Sequence, residues 1–367
     1  MVRSAGQAAR TIAIGIVESI EAAESIADEW HDLACHSVDA GPFGYPDVAL
    51  NWWRALGKGH LHIVTARSAD GQLVGLAPLY CRARGPVAVM GFLGTGVGAV
   101  GSFLQQPGLK ADVVTLMLEE ALSDRRTVLD LQNFRYGAPG INELRRNPDL
   151  RTRAELQDEC PVISLAGIAT IGEFLASPDR SGLRKKLAKA GRSLADHDVA
   201  YRHATDRDDV MATWSSIQPL YDRAEADYPR QHFGRGANSR FFEPMLRSMA
   251  ERRQASITSV WIDGNPAAFD VFLWTGDTAH AVLGRFDPDL AGFSPGQLLL
   301  QFGVQEAIAA RVEDIDLQLG DDLYKRRWST QSYDTVHVRS AASRTFTLAD
   351  SVLKGVDAAF ELRSRLR

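Results

Sequence analysis

The sequence predicts an α/β protein made of two similar units in tandem. Strand-like and helix-like periods alternate along it, and one order of elements occurs twice. At 367 residues the chain is long enough for two sizeable cores. The units are read as 11–160 and 161–345, with a disordered N-terminus over 1–10 and a C-terminal helix over 346–367.

In the first unit, Ile12–Val17 is a strand candidate. Ser19–Ala34 is a helix candidate, since Ile20, Ala23, Ile26, Ala27, Trp30 and Leu33 share one face. The turn-rich run Gly41–Pro46 ends it, and Asp47 is expected to cap a second helix through Trp52, Trp53 and Leu56. His60–Arg67 and Gln72–Arg82 flank Ala69-Asp70-Gly71 as a hairpin. Val87–Leu93 is a strand, followed by the glycine-rich loop Gly94–Gly98. Helix Ala111–Ser123 and strand Thr127–Leu131 complete the order.

That order returns in the second unit. Residues 207–255 supply helices, and strands Ser256–Ile262 and Ala267–Trp274 flank the turn Asp263–Pro266. The stretch from 279 to 328 comes next, and the rest of the chain serves it. Ala279–Phe286 is a strand, stopped by Asp287-Pro288. Ser294-Pro295-Gly296 opens a helix, with Ser294 expected as its cap and Pro295 at the position where a missing N–H costs nothing. Leu300, Val304, Ala307 and Ile308 form the apolar face of that helix. Ile315–Leu319 alternates as a half-buried strand, Gly320 ends it, and the charged turn Asp321–Lys325 comes after it. A strand feeding a loop and a helix N-terminus makes an anion site, because free N–H groups and the helix dipole face the bound charge.

The segments FDPDLAGFSPGQLLL (286–300), DLQLGDDLYKRRW (316–328) and RSGLRKKLAKAGRSL (180–194) resemble the CelD-like or BioF2-like acyltransferases of the GNAT superfamily. The resemblance covers roughly residues 15–340. Those are tandem-GNAT proteins, similar in build to the FemABX peptidyltransferases. It implies two GNAT-like domains, each a mixed, mostly antiparallel sheet flanked by helices. It also implies acyl transfer, of an acetyl group in the first instance, from coenzyme A to an amine. The first unit is expected to be a degenerate copy that shapes the acceptor side, and the second to bind acyl-CoA.

Acyl transfer to an amine needs a base for the nucleophile, a polarised thioester carbonyl and an acid for the departing thiolate. The resemblance implies that backbone N–H groups of a splayed strand meet the carbonyl. Here that is Ala279–Phe286, so Gly284, Arg285 and Phe286 are expected at the cofactor together with Ser294, Pro295, Gly296 and Gln297. Tyr324 matches the family's thiolate acid, a tyrosine just after the fifth strand, although packing beside Trp328 explains it as well. Asp287 is the leading base candidate, against the plain alternative of a turn aspartate before proline. Asp270 and Asp316 are rivals, because burial in apolar strands would raise their pKa toward neutrality.

The resemblance favours Asp321 and Lys325 as structural or substrate contacts, within a dense charged turn that also holds Asp322, Arg326 and Arg327. Trp214 and Tyr221 are expected to line the acceptor cleft, with Tyr228, His232, Phe233, Asp222, Arg223 and Glu225 nearby, and core packing explains Trp214 equally well. The helix Arg184–Leu194 places Leu183, Leu187, Ala190 and Leu194 on one side and Arg184, Lys185, Lys186, Lys189 and Arg192 on the rest. Such a face is usually solvated, and it also suits an anionic partner.

A net charge of −5 excludes the chain as a whole from binding polyanions, so no DNA and no tRNA partner is expected. Cys35, Cys81 and Cys160 are scattered and odd in number, which fits neither a disulfide framework nor a zinc site. No metal is expected. Neither a membrane-length apolar run nor a signal-peptide core is present, so a cytoplasmic monomer or homodimer is expected. The expected acceptor is a small-molecule or carrier-bound amine. Two alternatives stand beside this reading: a transferase using aminoacyl-tRNA, as in the FemABX proteins, and a GNAT-fold binding protein without activity.

Overall fold

The computed structural model describes residues 12–349 and 353, except 39, 99, 110, 111, 228–232, 234 and 235. Its strands in chain order are β1 (Ala13–Val17), β2 (His60–Leu61), β3 (Ile63–Arg67), β4 (Leu73–Ala77), β5 (Leu79–Arg84), β6 (Val87–Phe92), β7 (Leu104–Gln105), β8 (Thr127–Arg135), β9 (Leu150–Ser164), β10 (Val199–Ala204), β11 (Ala255–Ile262), β12 (Asn265–Thr275), β13 (Thr278–Phe286), β14 (Asp314–Asp316) and β15 (Gln331–Ala342). They form a four-stranded sheet, β1-β3-β4-β7, and an 11-stranded sheet, β10-β11-β12-β13-β14-β9-β15-β8-β6-β5-β2.

The large sheet joins the two halves through its two longest strands, neither of which the sequence pattern reveals. β9 runs antiparallel to β15 from Leu150–Ala342 to Val162–Gln331. The second half of β9 also pairs with β14, and the second half of β15 pairs with β8. Each half of the sheet is therefore completed by a strand from the other half of the chain. A division at 160/161 falls inside β9.

Other departures have local causes. The Ser19–Ala34 helix is broken at Ile26 into Ile20–Ser25 and Ala27–His36. Asp47 does not cap the Pro46–Leu56 helix, where Tyr45 is the N-cap. Its carboxylate instead ion-pairs with Arg252 Nε at 3.0 Å and faces His31 Nδ1 at 3.5 Å. The hairpin expected around Ala69–Gly71 is divided between sheets, β2 and β5 in one and β3 and β4 in the other. Pro78, which has no N–H to give a ladder, stands at the division. Ile315–Leu319 is a strand only as far as Asp316, because Gln318 turns the chain at φ 60°.

One apolar core spans both halves. Trp30, Trp52 and Tyr80 share it with Trp214, Phe242 and Phe269. The Gly236–Glu251 helix lies against the Pro46–Leu56 helix, with Ser248 accepting from Asn51 at 3.4 Å. A second core lies on the opposite face of the second half. There the Pro295–Ala309 helix and the Ser181–Ser193 helix cover β11, β12 and β13.

Because the halves exchange strands and share a core, the chain is expected to unfold as one unit. Scanning calorimetry should give a single transition with calorimetric and van't Hoff enthalpies in agreement. Two resolved transitions would mean that the halves unfold separately.

Candidate active site

β13 and β14 run parallel for a short distance only, from Thr278–Asp314 to His280–Asp316. Beyond His280, β13 continues to Phe286 with β12 as its partner on the other side. Among the described residues, Ala281–Phe286 thus have an open backbone edge where β14 has turned away. The chain then makes a short 3-10 turn, Pro288–Phe293, and enters the Pro295–Ala309 helix. Ser294 stands at the cap position in the left-handed region, φ 56°, but its side chain makes no cap bond. Its carbonyl accepts from Gln297 and Leu298, and the Gly296 N–H keeps no partner among the described residues. An open strand edge and an unsatisfied helix N-terminus therefore adjoin.

The matching place in the first half is filled. β6 and β8 also pair in parallel for a short distance, from Ala88–Thr127 to Met90–Leu129. The loop after β6 then folds back, and Gly101 bridges to Phe134. Phe92, Phe103 and Phe134 pack there with ring centroids 5.3–5.4 Å apart. A side chain at Gly101 would collide with Phe92.

Three carboxylates surround the second cleft, and each has a different environment. Asp270 on β12 is the register partner of Gly284, and a Cβ at 284 would collide with its carboxylate. It shares the face of Phe272, toward the Pro295–Ala309 helix. Desolvation pushes its carboxyl up to about 7, against the pull of the Arg285 guanidinium. Asp287, buried, caps the 3-10 turn by accepting from the Asp289 N–H at 3.0 Å, and accepts from Arg223 at 2.6 Å. Its oxygens are thus committed to structure, which is poor preparation for a base. Asp316 is also buried, but Tyr333 donates to it at 2.8 Å, the Gln318 N–H donates at 2.8 Å and His280 Nδ1 lies at 3.5 Å. Burial pushes its pKa up, and these partners outweigh burial and hold it below the ordinary range. The expected rise therefore occurs at Asp270 and is reversed at Asp316.

The remaining expected site residues are scattered over several environments. Arg285 donates to the Gly284 carbonyl at 2.7 Å, and its guanidinium lies 5.8 Å from the Tyr221 ring centre. Phe286 is exposed, and Pro295 and Gln297 are buried. Gln297 Oε1 accepts from the Trp328 indole at 3.2 Å. Tyr221 is fully buried, with its hydroxyl accepting from the Phe233 N–H at 2.6 Å. Trp214 is core, packed on Tyr221, Phe242 and Phe269, and does not line a cleft. Lys325 is buried and donates to the carbonyls of Gln318 and Leu319, at 3.2 and 2.6 Å. It thereby ties the short Leu323–Trp328 helix to the end of β14. Tyr324 lies exposed on the first turn of that helix, and Asp321 is exposed and paired with Arg326. Tyr228 and His232 lie outside the described residues.

Sequence reasoning missed the buried polar cluster at the point where β13 and β14 part. His280 Nε2 shares a 2.7 Å hydrogen bond with Thr275, and Asp316 links it to Tyr333. Burial pushes the neighbouring Cys160 thiol up to about 12, so it stays protonated. The signal was present. Leu129-Asp130-Leu131-Gln132 and Ile315-Asp316-Leu317-Gln318 repeat the same pattern, one in each half. Both aspartates are buried and accept from β15: Asp130 from His337 and Arg339 at 2.7 and 2.8 Å, Asp316 from Tyr333.

Residues 180–326 match the family model described as acetyltransferase (GNAT) domain. Among solved structures, FemX shares 9% identity over 86% of this chain and 95% of its own, with a TM-score of 0.62. The C-terminal DUF2156 domain structure named for lysylphosphatidylglycerol synthetase of Agrobacterium fabrum shares 15% over 92% of this chain and 96% of its own, with a TM-score of 0.60. L-PGS from Bacillus licheniformis shares 12% over 78% of this chain and 86% of its own, with a TM-score of 0.51. No curated protein matches the chain by sequence. At these identities the likeness is one of fold. The fold class is the one expected, mixed α/β with mostly antiparallel sheets flanked by helices, although the large sheet is continuous across the two halves.

The Asp270 environment makes a pH-dependent prediction. Its proton is held more tightly in the folded chain than in the unfolded one, where the pKa is roughly 3.9. Stability from this group is therefore lost as pH rises from the unfolded value toward about 7. Asp270→Asn should gain in melting temperature over wild type, and the gain should be larger at pH 8 than at pH 5. A gain independent of pH would mean an ordinary carboxyl.

Proposed function

We propose that this chain, with its GNAT domain over 180–326 in a tandem GNAT fold, is an acyl-CoA-dependent N-acyltransferase. The acceptor is a small-molecule or carrier-bound amine, and the acyl group is acetyl in the first instance. One observation carries the reading: among the described residues the second half combines an open strand edge with an unsatisfied helix N-terminus, while in the first half the chain after β6 bridges back to β8.

The residues present fit a thioester donor. The Gly296 N–H and the positive end of a 15-residue helix suit a diphosphate, and no side chain at 296 blocks the approach. Backbone N–H groups along Ala281–Phe286 suit a carbonyl oxygen that gains charge as an amine attacks. Asp270, with its pKa near 7, is the best-tuned base among the three carboxylates. Tyr324 remains the candidate acid for the leaving thiolate, being exposed just beyond the end of β14. The filled first half then serves as a wall of the acceptor side.

Two experiments address the reading. Acetyl-CoA should raise the melting temperature in proportion to the logarithm of its concentration over Kd. Gly296→Glu should abolish that shift, since the carboxylate fills the space and repels phosphate. An equal shift in a folded variant would move the donor site elsewhere. Steep salt-sensitive binding of tRNA, with no response to acetyl-CoA, would favour the aminoacyl-tRNA alternative.

Tyr324→Phe tests the acid. Removing only the hydroxyl should lower kcat by about 10²–10⁴-fold and leave acyl-CoA affinity unchanged. Turnover within about threefold of wild type would make Tyr324 a surface residue without a chemical part.

A further inference from the structure

β5 reads Leu-Tyr-Cys-Arg-Ala-Arg over Leu79–Arg84. Side chains two apart on a strand share a face, so Tyr80, Arg82 and Arg84 lie on one side, while Leu79 and Cys81 join the core on the other. Trp52 and Trp53 hold Tyr80 in place, with rings 5.4 and 6.2 Å from its own. Gly91 on β6 leaves room for it, since a Cβ there would stand 3.3 Å from the Tyr80 ring. The Arg82 guanidinium lies 5.9 Å from the centre of that ring. Burial pushes the Tyr80 phenol up, and the charges of Arg82 and Arg84 both pull against it. The two guanidiniums therefore gather around one phenol.

Both arginines are half-buried, and their Nε atoms are enclosed without an acceptor. Among the described residues no carboxylate or carbonyl meets either guanidinium. In the same half, Arg54, Arg67 and Arg126 each pair with a carboxylate. The acids whose charge reaches β5 are Asp130 and Asp124, and both are already committed. Asp130 accepts from His337 and Arg339 at 2.7 and 2.8 Å, and Asp124 pairs with Arg126 at 3.0 Å. Enclosed charged donors are costly unless an anion meets them. Positions two apart on a strand are roughly 7 Å apart, close enough for two long side chains to converge on one group.

We infer that Arg82 and Arg84, beside Tyr80, bind the phosphate group of a second ligand, at a site in the first half separate from the donor cleft. β14, β9, β15, β8 and β6 lie between β13 and β5 in the large sheet, which sets the two places roughly 30 Å apart. Two full positive charges and two planar forks of donors match a phosphate monoester, with its near-double negative charge and several acceptor oxygens. A carboxylate answers one arginine and leaves the other unmet. The site does not depend on the assignment of the acyl donor, and it gives the first half a ligand of its own.

Isothermal titration with inorganic phosphate at constant ionic strength tests this, with acetate as the comparison. Phosphate should bind the wild-type chain and raise its melting temperature, and acetate at the same concentration should not. Arg82→Gln with Arg84→Gln should weaken phosphate binding roughly a hundredfold and leave the response to acetyl-CoA as in the wild type. If the double variant melts lower without ligand, Arg84→Gln alone carries the test, with a loss of roughly tenfold, since Arg84 is the last residue of its strand. No phosphate binding by the wild-type chain, or equal binding by a folded variant, overturns the inference. An equal response to acetate overturns the choice of phosphate. Loss of the acetyl-CoA response in the folded double variant overturns the separation of the two sites.

Discussion

The architecture depends on the antiparallel ladder between β9 and β15. Each strand is long enough to serve both halves, and their ladder runs unbroken in direction from Leu150–Ala342 to Val162–Gln331. Ladder hydrogen bonds at the centre of the sheet leave no open edge where the two halves meet. The consequence is geometric. β14 is fixed against β9, so the direction of β14 is set from the first half, whereas β13 is fixed by β12. Two strands held from opposite sides part where their short pairing ends, and the cleft is that parting.

The same constraint acts in both halves, yet among the described residues only one cleft stays open. The difference lies in the loop that leaves the strand before the parting. After β6 the chain is glycine-rich, from Gly94 to Gly101, and can fold back into the gap, where Phe103 completes an aromatic trio. After β13 comes Asp287-Pro288, and proline fixes the chain in a 3-10 turn that leads away into a helix. Arg223 secures that turn by binding the Asp287 carboxylate. Asp287 looked like a base from its position in the sequence. Its geometry makes it the residue that holds the turn aside.

Much of this was legible in the sequence. The tandem order, the glycine loop, the strand from 279 to 286 and the helix opened by Pro295 all obey local rules of turn and period, and local rules govern such elements. β9 and β15 were not legible for a physical reason. Arg151, Arg153, Glu155, Gln157 and Glu159 in β9 alternate with residues such as Thr152 and Ala154, and all five are exposed. A central strand usually reads as apolar, and these read as surface. Trp214 shows the converse limit. Its type suited a cleft and a core alike, and only the packing of Tyr221, Phe242 and Phe269 around it decides. The repeated Leu/Ile-Asp-Leu-Gln relates Asp316 to Asp130, but two matching tetrapeptides gain meaning only when both aspartates are seen to accept from one strand.

Asp270 and Asp316 show why burial alone does not choose a base. Both lie in apolar strands, and desolvation favours the neutral acid in each. At Asp316 a phenol, a backbone N–H and an imidazole converge on the carboxylate, and hydrogen bonds to the charged form win. The result is a fixed anion that lies beside His280 and ties β15 to β14 across β9. At Asp270 the neighbouring position is glycine, so the carboxylate rests against bare backbone, with the Arg285 guanidinium as the charge that opposes desolvation. A carboxyl with so little support gains and gives up a proton near neutral pH, which is the behaviour an amine's general base requires. Gly284 therefore has a definite part: its missing side chain makes room for the Asp270 carboxylate.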